Sequence, residues 1–232
     1  MKLKEFLNEK ELPSAYDENK EFKLKKLGFK KYKKLEDGSY EVWGSYKGNP
    51  KDLPIKIKII HGSFNCSEQK LKSLEGCPEK VDGDFYCSHN DNLTSLKGAP
   101  KEVGDDFNCK WCNLKSLKYA PKKVGGNFNC NENNLIDLEG SPKIIEGNFN
   151  CSHNKLETLK GGPEFVDAGF ICSFNKLDSL KYAPKFVGGD FICYRNSREF
   201  MKKDFKFIKV GREIDTYRQR SYYTLTNKPL EK

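Results

Sequence analysis

No run of about 18 apolar residues occurs in the 232-residue chain, which excludes a membrane-spanning helix. The N-terminus, Met1-Lys2-Leu3-Lys4-Glu5-Phe6-Leu7, lacks the long apolar stretch of a secretory signal. A cytoplasmic protein is therefore expected, with its nine cysteines reduced. No phosphate loop, H-E-x-x-H pair or G-x-S-x-G elbow is present, and no paired carboxylates stand at a unique place. The sequence thus nominates no catalytic residue, no metal ligand, no cofactor and no small-molecule substrate. Cys109-Lys110-Trp111-Cys112 spells C-x-x-C, which elsewhere serves redox or zinc chemistry, but no second C-x-x-C or nearby His pair completes a zinc set.

What is abundant is charge, and it is unevenly placed. Residues 1–60 carry 15 Lys/Arg against 10 Asp/Glu, residues 61–196 carry 17 against 18, and residues 197–232 carry 10 against 5. The net charge of +9 resides in the flanks, so electrostatic attraction to nucleic acid is expected to act through the ends.

The middle is repetitive. Phe64, Phe85, Phe107, Phe128, Phe149, Phe170 and Phe191 recur every 21 or 22 residues, and each is followed two positions later by cysteine, at 66, 87, 109, 130, 151, 172 and 193. Leucines follow at 71, 93, 114, 135, 156 and 177, and again three residues further on. A proline comes next, from Pro78 to Pro184, and then Val81, Val103, Val124, Ile145, Val166 and Val187 close each unit. In x-F-x-C-x the period is two, so Phe and Cys share one face of a short strand. The leucine pair turns the chain back over that ladder. Proline favours an extended return, because too few residues remain for a helix. Each unit can bury its apolar side only against its neighbours, so stability accumulates by stacking.

The unit F-x-C-x-x-N-x-L-x-x-L-x-x-x-P-x-x-V-x-G resembles the leucine-rich repeat, with Phe and Cys in the first two apolar slots. The resemblance covers roughly residues 62–196. Its short period and proline are similar to the compact repeats of bacterial secreted effectors, and its Phe/Cys form to repeat proteins encoded by tailed phages and some bacteria. The resemblance implies a solenoid with a parallel sheet on a concave face, irregular extended returns on a convex face, and small α/β caps. In the corner slot, Asn90, Asn133, Asn154, Asn175 and Asn196 are expected to satisfy bare backbone groups. Gln69 and Cys112 depart from the pattern, and one extra residue near Asp91-Asn92 should bulge the second corner.

Four segments follow from this reading. Residues 1–39 form a basic element, 40–61 a degenerate cap repeat with a hairpin signal at Asp37-Gly38 before it, 62–196 seven repeats, and 197–232 a cap and basic tail. Ser197 is placed to start a short helix through Arg198 to Met201, with Phe205 and Phe207 over the last turn. Lys23 to Lys34 is a lysine run in which Phe29 and Tyr32 could stack on bases. Residues 1–9 resemble the capsid-targeting peptide of internal head proteins in T-even-type phages, which implies cleavage after Leu7-Asn8-Glu9.

The solvent-facing strand positions are mostly Asn, Ser and Asp. Tyr86, His89, Lys110, Trp111, His153, Ile171, Phe174, Ile192, Tyr194 and Arg195 break that polar carpet, and aromatic residues and Arg are what binding hot spots use. Seven strands about 4.8 Å apart span roughly 30 Å, which suits a protein interface of about 800 Å² per partner. The expected function is non-catalytic binding of a protein partner through this face; inhibition of a host protein by a phage protein is its specific version. Nucleic-acid binding through the termini, packaging inside a capsid, and thiol or zinc chemistry at Cys109 and Cys112 are the rival expectations.

Overall fold

The computed structural model describes residues 22–216. The expected N-terminal peptide and the tail containing Arg218, Arg220, Tyr222 and Tyr223 lie outside them. Within them the chain winds into a parallel β-solenoid of about eight turns, nearly all strand and extended return. No helix among the described residues is long and apolar enough to cross a membrane.

The Phe-x-Cys segments pair in parallel and in register, Phe64 with Phe85 and so on to Phe191, within a nine-stranded sheet. Alternation sends every Phe and Cys of this ladder inward, where all are buried. Successive rings lie with centroids 5.1–5.7 Å apart, stacked except at Phe107–Phe128 and Phe170–Phe191, where they are tilted. Burying each ring contributes about 1.5–3 kcal/mol, and the leucine rungs close the core from the other side.

The returns differ from the irregular path expected of them. Lys80–Val81, Glu102–Val103 and Lys123–Val124 form a second parallel ladder within a six-stranded sheet, and Ile144–Ile145, Phe165–Val166, Phe186–Val187 and Lys209–Val210 continue it as a separate four-stranded one. The extended geometry that proline enforces leaves amides and carbonyls free to pair with the neighbouring turn, and they do so on both sides. The first residue of the corner between the sheets is glycine at 104, 125, 188 and 211, while Asp82, Glu146 and Asp167 fill the same slot in the other turns. A Cβ added to Gly125 would lie 2.1 Å from the Gly104 carbonyl oxygen of the preceding turn.

The corner asparagines bond as the sequence implies. Asn133 donates from Nδ2 to the carbonyls of Cys109 and Cys130, at 2.9 and 3.2 Å, and accepts the Leu114 amide at 3.0 Å. Asn90, Asn154 and Asn175 repeat the arrangement. Cys112 preserves only the donor half, with its thiol 3.4 Å from the Cys87 carbonyl. The extra residue at Asp91-Asn92 explains why this suffices. It lets the Leu93 amide donate to Asn90 of its own turn at 2.8 Å, so the next turn owes it no acceptor.

At the N-terminal end, Lys31–Lys34 and Tyr40–Trp43 form an antiparallel hairpin across Asp37-Gly38. Tyr40–Trp43 joins the second sheet by pairing in parallel with Ile57–His61, and Tyr46 stands in line with the phenylalanine ladder, paired with Phe64. Phe29 is fully buried at this end, so it cannot stack on a base; burial of its ring against the first turn removes it from the nucleic-acid reading.

At the C-terminal end the expected helix over 198–201 is displaced. The helical turn is Lys202–Phe205, because the Asp204 carboxylate accepts the Met201 amide at 2.7 Å. Arg198 grips the same carboxylate with both terminal nitrogens, at 2.9 and 2.7 Å, and this pairing holds Asp204 down at about 2. Phe205 packs edge-on against Phe191, but Phe207 is 81% exposed and does not cover the last turn. Lys209–Val210 and Ile214–Asp215 instead extend the two ladders.

Candidate interaction surface

Two residues past each ladder cysteine the chain turns through a left-handed corner. Glu68, His89, Trp111, Glu132, His153, Phe174 and Arg195 all have φ between 52° and 62°. A non-glycine residue adopts this region uncommonly, yet each of these seven turns repeats it. The corner throws each side chain outward, one above the next, and six of them touch a neighbour. His89 and Trp111 stack with centroids 5.9 Å apart, and Trp111 is 49% exposed. The Glu132 carboxylate is 3.6 Å from His153 Nδ1, the His153 ring stacks at 4.1 Å on Phe174, and the Arg195 guanidinium lies 5.2 Å from the Phe174 centroid. Tyr194 meets Phe174 edge-on at 5.4 Å.

The expected site residues therefore form two groups. His153, Ile171, Phe174, Ile192, Tyr194 and Arg195 gather over the last three Phe-x-Cys turns, with Ile171 and Ile192 half-buried and directly paired in the sheet. Tyr86, His89, Lys110 and Trp111 sit over the second and third. Tyr86 is half-buried, and desolvation together with Asp84, Asp106 and Asp105 pushes its hydroxyl up to about 12. Lys110 is half-buried, its amide held by Asn108 Oδ1 at 3.2 Å. His89 and His153 each have their own aromatic neighbour and do not meet.

At the other end of the strands, one residue before each Phe, outward positions form a ladder of their own. Asn127 donates to Asp106, and Asn148 to Asn127, each through backbone and side chain at 2.7–3.1 Å. This fixes the polar groups where each strand begins, five residues before the corner row. Cys109 and Cys112 lie beneath it. Burial pushes the Cys109 thiol well up and that of Cys112 to about 11, which disfavours the thiolate that redox or metal chemistry needs.

Three features escaped the sequence reading. Ile144, Phe165 and Phe186 stand side by side on the outer face of the second sheet. Tyr119 and Tyr182, also left-handed at φ 73° and 69°, protrude from the opposite corner of the turn. His61 is clasped between Glu41 Oε1 at 2.6 Å and Asp82 Oδ2 at 2.5 Å and stacks on Trp43 at 4.5 Å. The Glu41 hydrogen bond is the main cause that raises its pKa, against desolvation. With both ring nitrogens engaged, His61 acts as an ionic latch across three neighbouring turns rather than as a free base. Its signal in the sequence was the offset to Glu41 and Asp82, 20 and 21 residues, close to one repeat.

Compared with known protein families, with curated proteins and with solved structures, the chain matches no family model, no curated protein and no solved structure.

Proposed function

We propose that the chain is a non-catalytic recognition module of the leucine-rich-repeat type that binds a protein partner across the outward face of the Phe-x-Cys sheet and its corner row. The observation that carries this reading is the contact cluster of His153, Phe174, Tyr194 and Arg195, flanked by Ile171 and Ile192. Aromatic rings and a guanidinium held in place before binding lose little entropy on association. The ladder of bonded Asp106, Asn127 and Asn148 at the start of the strands supplies fixed polar groups for a rim. The specific version is a phage protein that inhibits a host protein, and it rests on the likeness of the repeats to phage-encoded ones.

The test compares wild type with Phe174→Asn and Trp111→Asn in affinity capture from bacterial lysate. Asparagine tolerates the left-handed corner, so circular dichroism should be unchanged. Proteins retained by the wild type should be lost from one or both variants. Capture of nothing by the wild type, or of the same proteins equally by both variants, overturns the proposal.

A further inference from the structure

The same pentapeptide, Lys-Tyr-Ala-Pro-Lys, occurs at 118–122 and at 181–185, three turns apart. It occupies the corner where the other four turns have Gly76, Gly98, Gly140 and Gly161, all with positive φ. At three of these glycines an added Cβ would lie 2.5 Å from backbone of the preceding turn. Tyrosine is therefore a poor residue for this slot on conformational grounds, and burial does not compensate for it. Tyr119 and Tyr182 are 53% and 52% exposed. Each ring carries the ammonium of the preceding lysine, at 5.2 Å for Lys118 and 5.0 Å for Lys181. A strained, exposed aromatic built twice in identical form points to a ligand rather than to stability.

The surroundings give that ligand its charge. Between residues 115 and 124 there are four lysines and no acid. No carboxylate among the described residues pairs with Lys115, Lys118, Lys122 or Lys123, whereas Lys185 shares its charge with Glu164 at 2.7 Å. The two rings are about 14 Å apart, taking three strand spacings. On the turns between them Lys160 pairs with Glu139 at 2.7 Å and Lys143 donates to the Gly161 and Gly162 carbonyls at 3.0 and 3.1 Å, so the free ammonium groups here, among the described residues, are those around Tyr119 together with Lys181. We propose that this side of the solenoid binds a single-stranded polynucleotide, with bases stacked on Tyr119 and Tyr182 and phosphates on Lys118, Lys122, Lys181 and Lys185. Planar rings flanked by ammonium groups at intervals of a few nucleotides are what sequence-tolerant single-strand binding uses. The surface is distinct from the corner row of the protein-binding reading, and each stands or falls without the other.

Fluorescence anisotropy of the full chain with labelled oligo(dT) tests it. Binding should saturate and weaken steeply with added salt. Tyr119→Gly with Tyr182→Gly should weaken it about tenfold or more, while the melting temperature stays level or rises, since glycine is what the sister turns carry. Heparin, which has charge but no bases, should bind the wild type and the tyrosine variant alike. Lys118→Gln with Lys122→Gln should flatten the salt dependence. Absence of binding at low salt, or unchanged affinity of the double glycine variant, overturns the proposal, the latter by placing the site elsewhere, such as the basic termini. Equal loss of heparin and oligo(dT) overturns it too, because the rings would then not be stacking on bases.

Discussion

Exchanging residues between two equivalent corners separates backbone satisfaction from packing. Asn133→Cys keeps a donor for the Cys109 carbonyl but deprives the buried Leu114 amide of its acceptor at 3.0 Å. A buried amide left bare costs about 1–3 kcal/mol. In a chain of this size each kcal/mol moves the melting temperature by roughly 2–4 °C, so a fall of roughly 2–12 °C is expected. The reciprocal change, Cys112→Asn, meets a different situation. The Leu93 amide already donates to Asn90 at 2.8 Å, so a new side-chain oxygen finds no orphan to rescue. Its melting temperature should stay within about 2 °C of wild type. Far-UV circular dichroism melts, with calorimetric enthalpies to check cooperativity, measure both. Similar shifts for the two variants, or a gain from Cys112→Asn as large as the loss from Asn133→Cys, would refute the account of the bulged second turn.

Three further outcomes follow from the core and the latch. The pKa of His61 is raised above its ordinary 6.5, so its stabilising charge is complete below about pH 6.5 and is lost as pH rises through the raised value. The stability difference between wild type and His61→Gln should therefore shrink as pH rises above 6.5, and a difference that does not vary with pH would contradict the latch. Phe149→Ala removes a fully buried ring stacked at 5.2 and 5.7 Å between Phe128 and Phe170. It should cost about 3–5 kcal/mol, read as a lower denaturation midpoint, and a loss under about 1 kcal/mol would mean the ladder is not the core. Because burial pushes Cys87, Cys109, Cys130, Cys151 and Cys172 well up, an aromatic disulfide reagent should modify them far faster in denaturant than in the native state. Rapid native labelling at Cys109 would place that thiol in solvent.

The rungs were legible because Phe and Cys recur through seven repeats and the leucine pair through six, at intervals of 21 or 22 residues, and buried slots constrain residue type. Tyr46 was not, since it enters the ladder 18 residues before Phe64 with Gly48 where later turns have cysteine. The second ladder was hidden by its brevity: a two-residue strand such as Lys80–Val81 is too short to show alternation. Phe207 misled because an aromatic near a chain end looks like a lid, and only packing reveals that Phe200 and Phe205 take that place. At the candidate surface, the row from Glu68 to Arg195 was countable from the period. Its left-handed backbone was not, because tryptophan, phenylalanine and arginine carry no preference for it. His61 with Glu41 and Asp82 required knowing which turns are neighbours.

The shared handedness of the corner row bears on how such a surface can diversify. A branched Cβ is a steric misfit at positive φ, so valine, isoleucine and threonine are in effect barred from positions 68, 89, 111, 132, 153, 174 and 195. The remaining alphabet still spans acids, bases, amides and every aromatic. Each of these seven sites can therefore be rewritten singly, with the main chain undisturbed, which makes the row a set of interchangeable letters on a fixed line.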